Sequence, residues 1–154
     1  MNLFGVMDVS ASALKAERIR AEVVASNMAN AETTRTADGG PYQRHHVVFE
    51  AEGGGSFQQA MARQMGSLSG GVTAAKAVPG GVSVTGVISD ASAPLRRYDP
   101  QHPDAGPDGY VAYPDINPLT EMVDLMGATR SYGMNASAVQ AEKNMVASSL
   151  EILK

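Results

Sequence analysis

Asn117-Pro118-Leu119-Thr120-Glu121-Met122-Val123-Asp124-Leu125-Met126 opens the longest helical pattern in this chain. Asn at the cap position offers its side-chain oxygen to the first free amides of a helix. Pro at the first helical position lacks an N–H that the helix would leave unpaired anyway. No further proline follows before Lys154. Leu119, Met122 and Met126 begin an apolar stripe, and Met134, Ala138, Ala141, Met145 and Ile152 continue it. The seven-residue register slips near Gly133, as a stutter requires. At 1.5 Å per residue such a helix measures about 55 Å, more than a compact domain of this size comfortably holds. The stripe therefore points outward, to a neighbour.

The beginning of the chain mirrors its end. Asp8 to Asn30 reads as a helix free of Gly and Pro, about 35 Å long, with Asp8 or Ser10 as its cap. Met7, Leu14, Ala21 and Met28 recur every seventh residue, with Ala11 and Ala25 between them. Ile19, Val23 and Val24 widen the stripe, while Lys15, Glu17, Arg18, Arg20 and Glu22 supply a solvated face. Asn30 is expected to stop the helix in a left-handed conformation, which its short polar side chain tolerates.

Between the helices the pattern changes to period two. Tyr42 to Glu50, Val82 to Ile88, Pro94 to Tyr98 and Tyr110 to Tyr113 read as short strands. Glycine clusters at 53–55 and 70–71 bracket an amphipathic patch with Phe57, Met61, Met65 and Leu68, read as a short helix or an adaptable loop. Asp99 to Gly109, with three prolines and two glycines, is turn chemistry. The fold class is α+β: long N- and C-terminal helices packing as an α-helical coiled-coil rod, with a small β-rich domain inserted between them. The divisions are 1–34 for the first assembly helix and its exit, 35–114 for the insert, whose 51–78 segment is Gly-rich, and 115–154 for the second helix.

Composition supports association. Leu, Ile, Val and Phe together make up under a fifth of the 154 residues, and Trp is absent. Much of the apolar share is Ala and nine Met, residues that let helices approach closely and adapt to varied neighbours. A chain so supplied gains stability by packing on others. The formal net charge of −4 and the lack of a basic stripe argue against a nucleic-acid surface. No cysteine is present, so disulfides and thiolate metal sites are excluded. The N-terminus lacks a basic region and a long apolar stretch, so a cleaved secretory signal is not expected. No apolar run approaches the roughly 20 residues that span a bilayer.

The search for chemistry is short. His45 and His46 are adjacent on a strand, where neighbours point to opposite faces, so they do not share one metal. His102 lies near Asp99 and Asp104, and the surrounding prolines and glycines favour an ordered turn over a ligand loop. No nucleophile elbow, P-loop or paired-carboxylate scaffold is present. The reading is a non-enzyme with no catalytic, cofactor-binding or metal residues. Candidate assembly residues are Met7, Leu14, Ala21, Met28, Leu119, Met122, Met126, Met134, Met145 and Ile152.

Several stretches then resemble a known family. Ala25-Ser26-Asn27-Met28-Ala29-Asn30-Ala31-Glu32-Thr33-Thr34 resembles the SNLANAxT signature that ends the N-terminal helix of flagellar axial proteins. Gly39 to Arg44 followed by Val47-Val48-Phe49 is similar to the DGxPYRxxxVVF strand of the rod proteins of the FlgC family. Gly81-Val82-Ser83-Val84, Asp90, Pro94, Tyr98-Asp99-Pro100 and His102-Pro103-Asp104-Ala105 follow its pattern in order, as do Gly109-Tyr110-Val111 and Pro114 to Asn117. Glu121-Met122-Val123, Ala128, Arg130-Ser131-Tyr132 and Asn135 resemble its last helix. The segment 51–78 is longer than in a minimal member. The resemblance marks Ser26, Asn27, Asn30, Thr33, Tyr98, Pro100, Gly109, Tyr110, Asn117, Glu121, Arg130, Tyr132 and Asn135 as motif positions. It implies a structural subunit of the proximal rod of the bacterial flagellar basal body, a torque-transmitting drive shaft in the periplasm around the export channel. It also implies export without a cleaved signal, and packing with self-copies, the rod subunits FlgB, FlgF and FlgG and the adaptor FliE. Three rivals stand beside it: another axial protein, a self-contained coiled-coil adaptor, and a hydrolase or metal enzyme using His45 or His102, for which the sequence suggests no substrate.

Overall fold

The computed structural model describes residues 3–37, 39–52 and 80–152. Element order is α1 (Leu3–Ala29), β1 (His45–Ala51), β2 (Val82–Ser89), β3 (Leu95–Tyr98), β4 (Tyr110–Tyr113) and α2 (Pro118–Ile152). Two long helices flanking a small antiparallel β region make the chain α+β, as expected. The amphipathic patch around Phe57, Met61, Met65 and Leu68 lies outside the described residues. The chain divides into two compact units, one of Glu17–Val48 and Gly86–Ser131, the other of Met1–Ala16, Phe49–Thr85 and Tyr132–Lys154.

α1 starts earlier than its cap signals predict. With the helix running from Leu3, Asp8 and Ser10 lie inside it and cap nothing. Ser10 is buried, and packing of the turn around it outweighs the weak local preference of a serine for a cap. Its end also differs from expectation. Among the described residues no residue other than glycine has a positive φ, so Asn30 is not a left-handed stop. It closes the helix with its side chain: Nδ2 donates to the Ser26 carbonyl at 2.9 Å, and Oδ1 accepts from Thr33 Oγ1 at 3.2 Å. The exit is held by Thr33 N donating to the Asn30 carbonyl and Tyr42 N to the Thr33 carbonyl.

α2 starts where the sequence places it. Leu119 N donates to Asn117 Oδ1 at 3.0 Å and Glu121 N to the Asn117 carbonyl at 3.1 Å, which satisfies two amides of the first turn. The helix passes through Gly127 and Gly133 without a break. Thr129, Ser137 and Ser149 each donate their hydroxyl to the carbonyl four residues back, so polar side chains on this long helix do not unwind it.

β1 and β2 pair as a two-stranded sheet. Asp90 N donates to the Arg44 carbonyl at one end and Glu52 N to the Gly81 carbonyl at the other, so the strands run antiparallel. In the first unit, Asp90 stands beside that end. Its carboxyl is held below the ordinary carboxylate range, first by the side chain of Ser92 and then by the His46 ring, whose Nε2 lies 3.5 Å from Oδ2. A depressed folded pKa stabilises above the unfolded carboxylate value and is lost as pH falls through the lower folded one. Asp90→Asn is therefore expected to destabilise at pH 7 and to match the parent once both states are protonated. Urea unfolding at neutral and strongly acidic pH checks this; an equal penalty at both overturns it. In the second unit, Val82 N donates to Ser12 Oγ at 3.0 Å, and Thr85 Oγ1 to Glu50 Oε2 at 3.3 Å.

β3 and β4 form a hairpin with Leu95 opposite Tyr113 and Tyr98 opposite Tyr110. The connecting turn is closed by Asp99 N to the Gly109 carbonyl and by Gly106 N to the Tyr110 carbonyl. Gln101 N donates to Asp99 Oδ1, and Asp104 N to His102 Nδ1. Gly109 has φ +74°, and a Cβ there would stand 2.9 Å from Tyr98 Cε2. Gly109→Ala thus meets both backbone strain and a ring that stacks edge-on against Tyr110 at 5.3 Å. A loss of roughly 1–3 kcal/mol is expected in thermal or urea unfolding; a stability unchanged from the parent overturns this reading of the turn.

Candidate functional site

The interior of the first unit is small. Val24, Val111, Pro114, Ile116 and Ala128 are its buried apolar residues among those described. Among them sit two polar side chains, Asn27 and Glu121, each only 1% exposed. Such groups are stable inside a protein when their hydrogen bonds are all made. Asn27 lies near the end of α1 and spans two elements. Its Oδ1 accepts from His45 N at 2.9 Å and its Nδ2 donates to the His45 carbonyl at 2.9 Å. The side-chain amide thus does for the first residue of β1 what a neighbouring strand would do. A carboxylate lacks the donor, and an alcohol lacks the paired geometry. The second Nδ2 proton goes to Glu121 Oε2 at 3.2 Å, and Tyr42 Oη donates to Oδ1 at 3.1 Å.

Charge is balanced around this amide. Glu121 Oε1 accepts from Arg44 Nε at 2.7 Å and also pairs with Arg44 Nη2. Arg44 Nη2 lies 3.7 Å from Asp124 Oδ2, and Asp124 Oδ1 is 3.4 Å from Arg20 Nη2. Acid and base alternate from Glu121 through Arg44 and Asp124 to Arg20. The buried carboxylate therefore keeps a guanidinium and an amide as partners, the condition under which a buried ion is tolerated.

His45 and His102 make structural hydrogen bonds. Because Asn27 Oδ1 is an acceptor, the Tyr42 hydroxyl proton points to it. Tyr42 Oη must then accept from His45 Nδ1, 2.8 Å away. His46 faces solvent on the opposite side of the strand, as alternation predicts. His102 Nδ1 accepts from the Asp104 amide at 3.1 Å. Asp104 in turn accepts from Thr34 Oγ1 at 2.8 Å and pairs with Arg35 at 3.4 Å, tying the exit of α1 to the β3–β4 turn. Among the described residues no group of three His, Asp or Glu side chains is placed to hold a metal. What the buried junction does is fix the geometry at which α1, β1 and α2 meet.

The candidate assembly residues separate into two classes. Met7, Leu14, Ala21 and Met28 on α1 are half-buried. Leu119, Met122, Met126, Met134, Met145 and Ile152 on α2 are all more than half exposed, Met126 at 64%. Val123 and Leu150 are exposed beside them. That is more exposed apolar surface than one helix usually keeps in water. Of the motif positions, Asn27 and Glu121 come together in the junction, and Ser26, Asn30 and Thr33 form the helix exit. Tyr98, Pro100, Gly109 and Tyr110 belong to the hairpin and its turn, and Asn117 caps α2. Arg130, Tyr132 and Asn135 lie further along α2, the first two exposed. Arg20, Tyr42, Arg44, His45 and Asp124, which complete the junction, are not among the sites inferred from sequence.

Two family models match the parts that carry these features. Residues 7–35 match the flagella basal body rod protein model, and residues 108–152 match the C-terminal model of the flagellar basal body rod FlgEFG proteins. Full-length similarity narrows the choice. The flagellar basal-body rod protein FlgC of Bacillus subtilis is 42% identical over the whole of both chains. The chain belongs to the FlgC family of flagellar basal-body rod proteins. The FlgC proteins of Borreliella burgdorferi and Escherichia coli are each 34% identical, over 100% and 99% of this chain and 99% and 98% of their own. The family is structural, a part of the flagellar basal body and of motility. The first family model ends at residue 35 and the second begins at 108. The Asn27–Glu121 bond joins these two parts, so the junction is where both family signatures meet in space. Among the described residues no helix is long and apolar enough to cross a membrane.

Proposed function

We propose that this chain is a subunit of the proximal rod, assembling helically into the torque-transmitting drive shaft around the export channel. The observation that carries the proposal is the exposed apolar stripe of α2, from Leu119 to Ile152. In this reading 1–34 and 115–154 are the assembly helices. Their stripes, Met7, Leu14, Ala21 and Met28 on one and Leu119, Met122, Met126, Met134, Met145 and Ile152 on the other, pack as coiled coils against neighbouring subunits. Each such side chain fully buried contributes roughly 1.5–3 kcal/mol, so a few per helix, repeated around a tube, resist shear. The insert, 35–114, sets lateral spacing, and the buried junction ties Arg44 and His45 of the insert to Asn27 and Glu121 of the helices. FlgB, FlgF, FlgG, further copies and the adaptor FliE are the proposed neighbours. The proposed location is the periplasmic rod, reached by export without a cleaved signal. A density map of this chain within an intact basal body tests the reading. It is expected to show the α2 stripe covered by helices of neighbouring subunits in an open helical array. A closed dimer or trimer, or a stripe facing solvent in the assembly, overturns it.

A further inference from the structure

Each half of the α2 stripe carries one charge. Counted as a heptad abcdefg from Leu119, Leu119 and Met126 occupy a, Met122 occupies d, and Arg130 occupies e. The register slips near Gly133, so the second half is counted afresh. From Met145, Met145 and Ile152 occupy a, Ser148 occupies d, and Glu151 occupies g. The a-position side chains are bare in both halves, Met126 at 64% in the first and Ile152 at 85% in the second. Arg130 and Glu151 are exposed too. Among the described residues neither has an ion-pair partner.

In parallel coiled coils, a residue at g faces the e position that follows the next a of the partner, and opposite charges there choose partner and register. Setting Ile152 of one helix beside Met126 of another satisfies this rule. Glu151, just before Ile152, then meets Arg130, which follows Met126 by one turn. The same alignment sets Met145 beside Leu119 and Ser148 beside Met122. Other arrangements lose the pair. Two copies in register put Leu125, an apolar residue, at the g position opposite Arg130. Antiparallel helices set e against e and g against g, so the arginine and the glutamate miss each other. A cation at the edge of an apolar seam disfavours every register that gives it no acid.

We propose that the first half of the α2 stripe packs in parallel on the second half of the same stripe in another copy of this chain, with Arg130 of one paired to Glu151 of the other. The proposal rests on the stripe being a seam between subunits, and it adds the partner and the stagger. Both charges belong to this one chain, which is why a second copy completes the seam. The two halves are different surfaces, so the contact is heterologous and repeats from copy to copy without closing.

Charge reversal in strains carrying each variant as the sole copy tests the pair. Arg130→Glu sets acid against acid and Glu151→Arg base against base. Each is expected to lower incorporation into isolated basal bodies at least about tenfold. The purified chains keep the parent's urea midpoint, because both residues are exposed. Arg130→Glu/Glu151→Arg in one chain remakes the pair between copies, and most of the incorporation is expected to return. Full incorporation of either single variant, or a double variant no better than the singles, overturns the proposal. Met126→Asp separates the two readings. If it fails to incorporate while Arg130→Glu incorporates normally, the seam stands and the staggered partner falls; if both incorporate normally, the seam falls as well. The chain has no cysteine of its own, so Met126→Cys/Ile152→Cys, which keeps both charges and an apolar seam, reports the stagger. Oxidised basal bodies are expected to give a ladder of dimers, trimers and larger species. No linkage, or nothing above a dimer, overturns the proposal.

Discussion

Glu121→Ala is expected to lower the unfolding free energy of the isolated chain by roughly 3 kcal/mol, the scale for removing one partner of a buried ion pair. Glu121 is 1% exposed and receives Arg44 Nε, Arg44 Nη2 and Asn27 Nδ2. Alanine leaves the buried Asn27 Nδ2 without this acceptor, and Arg44, 27% exposed, reaches water only in part. Asp124, already 3.7 Å from Arg44, takes up part of the stranded charge, which keeps the loss from being larger. Glu121→Gln separates charge from shape. It keeps an acceptor for Asn27 or Arg44 but not the anion, and about half the loss is expected. Asn27→Ala removes the amide that pairs both main-chain groups of His45, and its cost should not add fully to that of Glu121→Ala, because the two share a hydrogen bond. Urea unfolding of the two single variants and the double measures this. A Glu121→Ala loss under about 1 kcal/mol, or full additivity with Asn27→Ala, would show that the junction does not hold the elements together.

That junction shows where the sequence stops being legible. The two helices are readable because their apolar residues repeat every seven positions and because Asn117-Pro118 is a start signal that acts locally. Tyr110–Tyr113 is readable for the same reason: alternation and flanking turns are short-range. The start of α1 at Leu3 is not, because serine and aspartate favour a cap only when nothing stronger places them inside a helix. Strand β1 begins at His45, three residues later than its apolar pattern predicts. Tyr42 is used instead to bond Thr33, Asn27 and His45, and Arg44 to bond Glu121. Asn27 and Glu121 are both visible as motif letters, yet 94 positions separate them. Nothing in the local pattern around either one says that the other completes its hydrogen bonds. Similarly, the end of α1 at Asn30 is correct in place and different in mechanism, since a side-chain bond to Ser26 and a left-handed turn leave the same mark in sequence. Exposure of the α2 stripe is the opposite case. It is foreseeable from composition, because a chain with so few large aliphatic residues has little with which to cover it.

Met126→Asp is expected to abolish incorporation of this chain into the rod, and with it motility, while leaving the free chain almost as stable as before. Met126 is 64% exposed, and replacement of a surface side chain usually shifts stability by no more than about 0.5 kcal/mol. In the proposed seam the same position is enclosed by a neighbour. There the substitution forfeits roughly 1.5–3 kcal/mol of apolar burial. It also places an unpaired carboxylate out of water, which costs more than the lost burial. The penalty recurs at every copy in the shaft. Leu14→Asp tests the partner stripe but is less clean, since Leu14 is half-buried within the chain and its loss also destabilises the monomer. The contrast between the two is itself informative: Met126→Asp separates assembly from folding and Leu14→Asp does not. Soft-agar motility of a strain carrying each variant as its sole copy, with urea unfolding of the purified chains, reads both quantities. Normal swimming with Met126→Asp would remove α2 from the seam. A large drop in monomer stability would mean that the stripe is covered within the chain, and that the neighbour it was taken to await is not needed to explain it.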